Sequence, residues 1–442
     1  MTPIPSTRVC RTRGTLALLF VSLLAVTGCS RPPPGNDLQP GSYRAVVRAD
    51  EAHEVPFGLD IAREEQGFVL YLLNGEERIR VTDVQAQAGR VTAQMPGYES
   101  TLIARVSGDE LEGTITFAVA DDRRREWPFR AKLGETWRFF PERRSDNADM
   151  AGRWELTFTD AAGRPSRAVA DLRQRYDQVD GTVVRPTGDE RYLAGEVHDE
   201  ELRLSRFDGG ALVVYRGELD AQGRWVGETW SDRDGARRFV AVRNPDAVVD
   251  AAGGAVVTRL RGDPAEPLRF EFPDLDGRPV SFSDPRLSGR PAIVAVLGSW
   301  NPASHDAATL LAELERRYGG RGLAVVGLMF ERHAERARAV AAIHRFRAAH
   351  HLGFPTLLAG TVDGAAAALP RLDGGVRVYP TLLFLDRDGR VRKVHTGLHG
   401  PAAALQHEQM LREFEQTIEG LLAGDAAVDA AASAPDATGA HP

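Results

Sequence analysis

The chain has 442 residues, a formal net charge of −7 and 43% hydrophobic residues. An acidic balance with no basic stripe and no aromatic-interleaved basic cluster excludes a nucleic-acid binder. The length allows about two to four domains, each able to build a core without disulfides, and only two cysteines occur, Cys10 and Cys29.

Residues 1–29 open with Arg8, Arg11 and Arg13, continue with an apolar run from Leu16 to Val26, and end Val26-Thr27-Gly28-Cys29. A basic start, a short apolar core and small residues at the end make a secretory signal. The run is shorter than the roughly 20 residues of a permanent span. The residues around Cys29 resemble a bacterial lipobox; a plain signal peptide is the alternative. The lipobox implies that Cys10 leaves with the signal and that Cys29 carries the lipid, so the mature chain has no free thiol. Acyl chains contribute about 0.8 kcal/mol per buried methylene, and more than one gives a stable anchor. Residues 30–40, "SRPPPGNDLQP", read as a tether. Ser30 in place of Asp, by resemblance to Gram-negative sorting rules, implies a periplasm-facing anchor in the outer membrane.

Residues 41–143 and 150–245 show short alternating runs bounded by Gly, Asp and Asn, the pattern of antiparallel β-structure. "GSYRAVV" from Gly41 is echoed by "GRWELTF" from Gly152, and "WPFRAKL" by "RRFVAVR". "GYESTLIARVSGDELEGTI" is likewise echoed by "FDGGALVVYRGELDAQGRWVGET". Two β-rich repeat modules are expected; a single larger barrel or sandwich is the alternative. Asp109, Glu110, Glu112, Asp232 and Asp234 fall at turns, where solvated carboxylates are ordinary. His198 stands alone.

Residues 246–267 are a small-residue, Pro/Gly linker, and from 268 to 424 the pattern becomes α/β. "GRPAIVAVLGSW" and "GLAVVGLMF" are buried strands. Helices are predicted over His305 to Tyr318, Arg332 to His350 and Gln406 to Leu422, with "FPTLLAG" and "YPTLLFLDRDGRVRKVHTG" supplying further strands. Residues 425–442 are a small, polar tail expected to be disordered. The predicted class is α+β multidomain, two antiparallel β-rich modules followed by an α/β domain.

Ser299-Trp300-x-Pro302-x-x-His305, Tyr379-Pro380-Thr381 with "LLFLDRDGRVRKVHTG", and Gly400-Pro401 together resemble the TlpA-like thiol:disulfide oxidoreductases, or redoxins. The resemblance covers about Leu268 to Leu422, roughly a third of the chain. It implies a thioredoxin-like fold, a cis peptide at Tyr379-Pro380, an attacking cysteine at the position of Asn301 and a resolving one at Ser304. Neither Asn nor Ser supplies the thiolate that such chemistry needs. Asn301 reads instead as an N-cap and Pro302 as the first helical residue.

A Ser304–His305 nucleophile would need a third group to orient it, and none is evident. His350 and His351 point apart, and His395, His399 and His407 form no converging set, so neither metal nor cofactor is expected. Glu331, at a strand's carboxyl end where α/β sheets bind ligands, is read as a solvated carboxylate. In the parent fold the backbone beside the cis-proline pairs with a substrate strand. Trp300, Pro302, His305, Tyr379 and Pro380 are therefore the candidate peptide-binding residues. The expectation is a lipid-anchored, redox-inert protein that binds or scaffolds proteins or peptides, with enzymatic activity left open and the balance against it. The alternatives are an oxidoreductase or antioxidant role that uses a partner's thiols, an activity in the β-modules, and a structural envelope platform.

Overall fold

The computed structural model describes residues 37–249, 257–373 and 375–424. The signal, Cys29, most of the tether and the C-terminal tail lie outside the described residues.

The first sheet comprises β1 (Gly41–Arg48), β2 (Glu54–Glu64), β3 (Gly67–Asn74), β4 (Glu77–Val81), β5 (Val84–Gln87), β6 (Arg90–Gln94), β7 (Ser100–Ser107), β8 (Glu110–Ala120) and β9 (Arg123–Leu133). The second comprises β10 (Gly152–Thr159), β11 (Pro165–Arg175), β12 (Gln178–Arg185), β13 (Gly188–Asp189), β14 (Leu193–His198), β15 (Glu201–Phe207), β16 (Leu212–Leu219), β17 (Trp225–Ser231) and β18 (Gly235–Arg243).

Both sheets follow one plan, with the opening strand hydrogen-bonded between the second strand and the last. Alternation puts Tyr43, Ala45 and Val47 inside the first sheet, and Trp154, Leu156 and Phe158 inside the second. The first aromatic of each copy is pinned alike. Tyr43 Oη donates to the Gln39 carbonyl at 2.8 Å, and Trp154 Nε1 to the Met150 carbonyl at 3.0 Å.

The copies differ in closure. In the second, β11 also pairs with β12, which closes a barrel filled by Trp154, Phe158, Tyr215, Trp225 and Phe239. The first runs from β4 at one end to β5 at the other, and these two do not pair. Phe207, Leu212 and Val214 of the second copy join its core beside Phe57, Leu59 and Leu72. Asn74 completes this junction: its Nδ2 donates to the Phe207 carbonyl at 2.9 Å and its Oδ1 accepts the Phe207 N–H at 3.2 Å. Buried polar groups are thereby satisfied across the seam.

The remaining strands are β19 (Arg259–Leu260), β20 (Glu271–Pro273), β21 (Pro279–Ser281), β22 (Ala292–Leu297), β23 (Ala324–Glu331), β24 (Thr356–Thr361), β25 (Leu372–Asp373), β26 (Thr381–Leu385) and β27 (Val391–Thr396). The helices are α1 (Pro302–Tyr318), α2 (Arg336–His350), α3 (Ala365–Ala368) and α4 (Ala404–Ala423). A five-stranded sheet runs β24-β23-β22-β26-β27, parallel across its first three strands and antiparallel thereafter. Every residue of β22 is buried, as expected for a strand covered on both faces. Ile293, Ala295 and Leu297 pack with α1, α2 and α4, while Val294 and Val296 pack with Leu268, Phe270 and Val280. The segment read as linker joins this region before Leu268: Thr258 N–H donates to Thr396 Oγ1 at 2.9 Å, and β19 pairs with β25.

Helix α2 starts at Arg336 rather than at Arg332. The loop ahead of it is held by the first sheet. Asp121 Oδ1, in the β8–β9 turn, accepts the Ala334 N–H at 2.9 Å and the Glu335 N–H at 3.4 Å, and the N-cap Glu335 itself makes no side-chain capping bond. Arg332 and His333 are left in the loop after β23.

Candidate functional site

Strand β22 ends at Leu297, and Gly298-Ser299-Trp300-Asn301 leads into α1. Asn301 is the N-cap, with extended backbone, and its Oδ1 accepts the Ser304 N–H at 2.9 Å. Pro302 occupies the first turn, where its missing N–H costs nothing. Ser304 is fully buried and its Oγ accepts the Gly298 N–H at 3.3 Å. Asn301 and Ser304 thus hold the helix start together.

Ser304 and His305 do not form a nucleophile pair. His305 Nε2 meets the Ser299 carbonyl at 2.7 Å, and a carbonyl only accepts, so that nitrogen carries the proton. His305 Nδ1 then accepts from His350 Nε2 at 2.8 Å, and His350 Nδ1 lies 3.0 Å from Thr309 Oγ1. Burial, reinforced by the His350 ring, holds His305 well below the usual imidazole range; burial likewise pulls His350 down to about 4. The neutral pair is structural.

The β-half closes over this face. Tyr98, between β6 and β7, stacks on His305 with ring centroids 4.0 Å apart. Gly97 beside it has φ +75°, and a Cβ there would lie 2.6 Å from His305 Cε1, so no side chain fits. Glu99 bonds His333 Nε2 and Arg345 Nη2, each at 2.5 Å. From the second barrel, Arg191 reaches Asp306 on α1 at 2.9 Å and Glu77 of the first barrel at 2.6 Å, with Asp208 at 4.0 Å. Burial pushes the Asp306 carboxyl up to about 7 despite Arg191. One buried cation therefore ties all three sheets' regions together.

The Tyr379-Pro380 peptide is cis, and the Tyr379 ring stands edge-on to Trp300 at 5.2 Å. The Pro380 carbonyl accepts the Gly397 N–H at 2.8 Å. Of the five candidate peptide-binding residues, Pro302, His305, Tyr379 and Pro380 are buried. Trp300 alone of the five lines an open cavity.

That cavity, about 510 Å³, lies between the first barrel, the β17–β18 turn and the end of β23. Two carboxylates at its wall correct the sequence reading. Glu331 is not solvated but 1% exposed; its Oε2 accepts from Ser299 Oγ at 2.6 Å and its Oε1 from Ser299 N–H at 3.1 Å. Burial pushes it up to about 7. Asp232, read as a solvated turn residue, accepts the Leu212 N–H at 2.9 Å, and burial raises its pKa. Trp300 Nε1 donates to the Phe330 carbonyl at 3.0 Å, while Arg332 and Arg233 lie over its ring at 4.6 and 5.8 Å. Tyr98, Arg191 and Arg233 are the contributors that sequence reasoning missed. Nothing local marks them, because their meaning comes from contacts with a distant part of the chain.

No family model and no curated protein matches the chain. Solved structures do. A thioredoxin family thiol:disulfide interchange protein from Chlorobium tepidum is 21% identical, over 36% of this chain and 98% of its own, with a TM-score of 0.29. A secreted disulfide oxidoreductase of Mycobacterium tuberculosis, homologous to E. coli DsbE, is 20% identical over 32% of this chain and 95% of its own, with a TM-score of 0.25. A thiol-disulfide oxidoreductase from Bacteroides fragilis is 19% identical over 32% of this chain and 96% of its own, with a TM-score of 0.25. Each neighbour is matched almost whole by about a third of this chain. The likeness is one of fold, in part of the molecule.

Proposed function

We propose that the chain is an envelope lipoprotein, anchored through Cys29, whose thioredoxin-like region binds or scaffolds proteins or peptides without redox chemistry. Thiol–disulfide exchange proceeds by thiolate attack on a disulfide sulfur. The observation that carries the reading is what replaces the thiols: an N-cap amide at Asn301 and a fully buried hydroxyl at Ser304. The buried groove beside Pro380 leaves the cavity next to Trp300 as the accessible binding surface.

The mature protein is expected not to accelerate reduction of insulin disulfides by a thiol reductant. Insulin turnover above the reagent blank would overturn the redox-inert reading. The anchor has its own test in metabolic labelling with a fatty acid. Label is expected in the wild type and absent from Cys29→Ser; equal label in both removes the anchor from the reading.

A further inference from the structure

We infer that the cavity beside Trp300 is an anion site, taking a small ligand with two or more oxyanion groups, carboxylate or phosphate. The inference deepens the binding part of the proposed function and stands apart from whether the site is redox-inert.

The first observation is an excess of uncompensated cations. Arg123, Arg125, Arg233 and Arg332 all line the cavity. Among the described residues none of the four forms an ion pair. Arg125 spends one N–H on the Asp232 carbonyl at 3.0 Å, and Arg233 spends one on the Trp300 carbonyl at 3.0 Å. Among the described residues the Arg332 side chain makes no hydrogen bond; its guanidinium rests on the Trp300 ring. A guanidinium has five N–H donors in a planar fork suited to carboxylate and phosphate, so most of this donor capacity is left unspent on the protein's own side chains, with Arg123, Arg125 and Arg233 exposed.

The acids at the wall do not answer this charge. Glu99 is engaged by His333 and Arg345. Glu331 is turned to Ser299 and is about half protonated near neutral pH. Asp232 is turned to the Leu212 N–H, and Asp363 is exposed. Burial, with Arg233 and Arg125 adding to it, pulls Arg332 down to about 10, and Asp232 and Glu331 offset only part of this.

The second observation is preorganisation. The Trp300 indole is fixed by its own hydrogen bond and by Tyr379, and it carries two guanidiniums on its π system. Holding like charges together is unfavourable, and a bound anion relieves it. Phe117 and Trp127 complete the wall with apolar surface for the body of the ligand. A volume of about 510 Å³ falls in the range of small-molecule sites.

The test is thermal unfolding of the full mature protein with pyrophosphate, with citrate, and with sodium chloride at matched ionic strength. A saturable rise in Tm is expected with at least one of the two oxyanions and not with chloride. A rise with pyrophosphate alone assigns a phosphate-bearing ligand, and with citrate alone a polycarboxylate. Arg332→Met and, independently, Arg125→Met should lose that rise. Arg332→Met should also unfold at the same or a higher temperature than wild type when no oxyanion is present. A saturable rise in neither arm, or one equally large in both variants, overturns the anion site. If no anion binds and insulin stays untouched, the redox-inert reading survives. If anions bind and insulin is reduced, only the anion site survives.

Discussion

Trp300 divides the surroundings of the α1 start into two sides built on opposite principles. On one side the helix start is sealed: Asn301 caps it, Tyr98 covers His305, and Arg191 is enclosed by three carboxylates. On the other, Arg332 and Arg233 lie against the indole and, among the described residues, form no ion pair with a carboxylate. A buried charge is tolerated when it is paired and hydrogen-bonded. The sealed side obeys that rule; on the open side Arg233 is exposed to solvent, while the partly buried Arg332 departs from it. Sequences tend to break local rules where function demands it, so the difference separates a part of the site kept for folding from a part kept for something else.

The sharpest way to break the comparison is to remove one arginine from each side. Arg191→Met leaves Glu77, Asp208 and Asp306 facing one another without their common cation. Breaking a buried ion pair from one end costs about 3–5 kcal/mol, and a loss of that size is expected in chemical denaturation at pH 7. Arg332→Met removes a like-charge neighbour and should cost nothing or stabilise. Equal destabilisation by the two changes would mean that both arginines serve folding, and the distinction would fall.

Much of the frame was legible in the sequence. The all-apolar β22 betrayed a strand covered on both faces, and the echo of Gly41 in Gly152 marked two copies of one meander. Asn301-Pro302 announced a helix start because capping is chemistry between neighbours in sequence. What stayed hidden was set by distance along the chain. Closure of the second barrel depends on the β11–β12 pairing, which no strand pattern specifies. The loop before α2 is held by Asp121, in another sheet, so the pattern placed the helix start too early. Glu331 looked like any strand-end carboxylate; only the packing of Ser299 and the β-half over it makes it buried.

Glu331 offers a second, smaller handle on the boundary between the sides. Its carboxyl moves from an ordinary 4.5 to about 7 on folding. Between those values the folded protein holds more protons than the unfolded chain, so this group's contribution to stability falls as pH rises through the window. Asp306, moving from 3.8 to about 7, has the same sign, whereas His350, moving from 6.5 to about 4, slopes the other way below pH 6.5. The whole-protein profile mixes these opposing slopes, and the variant Glu331→Gln isolates one. Glutamine keeps the acceptor for the Ser299 N–H and offers a donor where the protonated acid has its O–H. The stability difference, Gln minus Glu, should be near zero at pH 4.5 and grow to at most about 3 kcal/mol by pH 8. A difference that stays flat across the series would mean that Glu331 is solvated after all.

The smallest expected effect tests whether Asn301 is purely structural. Removing an N-cap side chain costs typically about 1 kcal/mol. Here the Ser304 N–H also lies 3.0 Å from the Asn301 main-chain carbonyl, so it is not orphaned when the side chain goes. Asn301→Ala should therefore fall at the lower end, between about 0.5 and 1 kcal/mol. Asn301→Ser, which restores a capping oxygen, should recover most of it. Both variants should leave the oxyanion-dependent rise in Tm unchanged, because the cap belongs to the sealed side and does not line the cavity. A loss well beyond the capping range, or a cap variant that weakens the oxyanion effect, would show that the two sides of Trp300 are coupled.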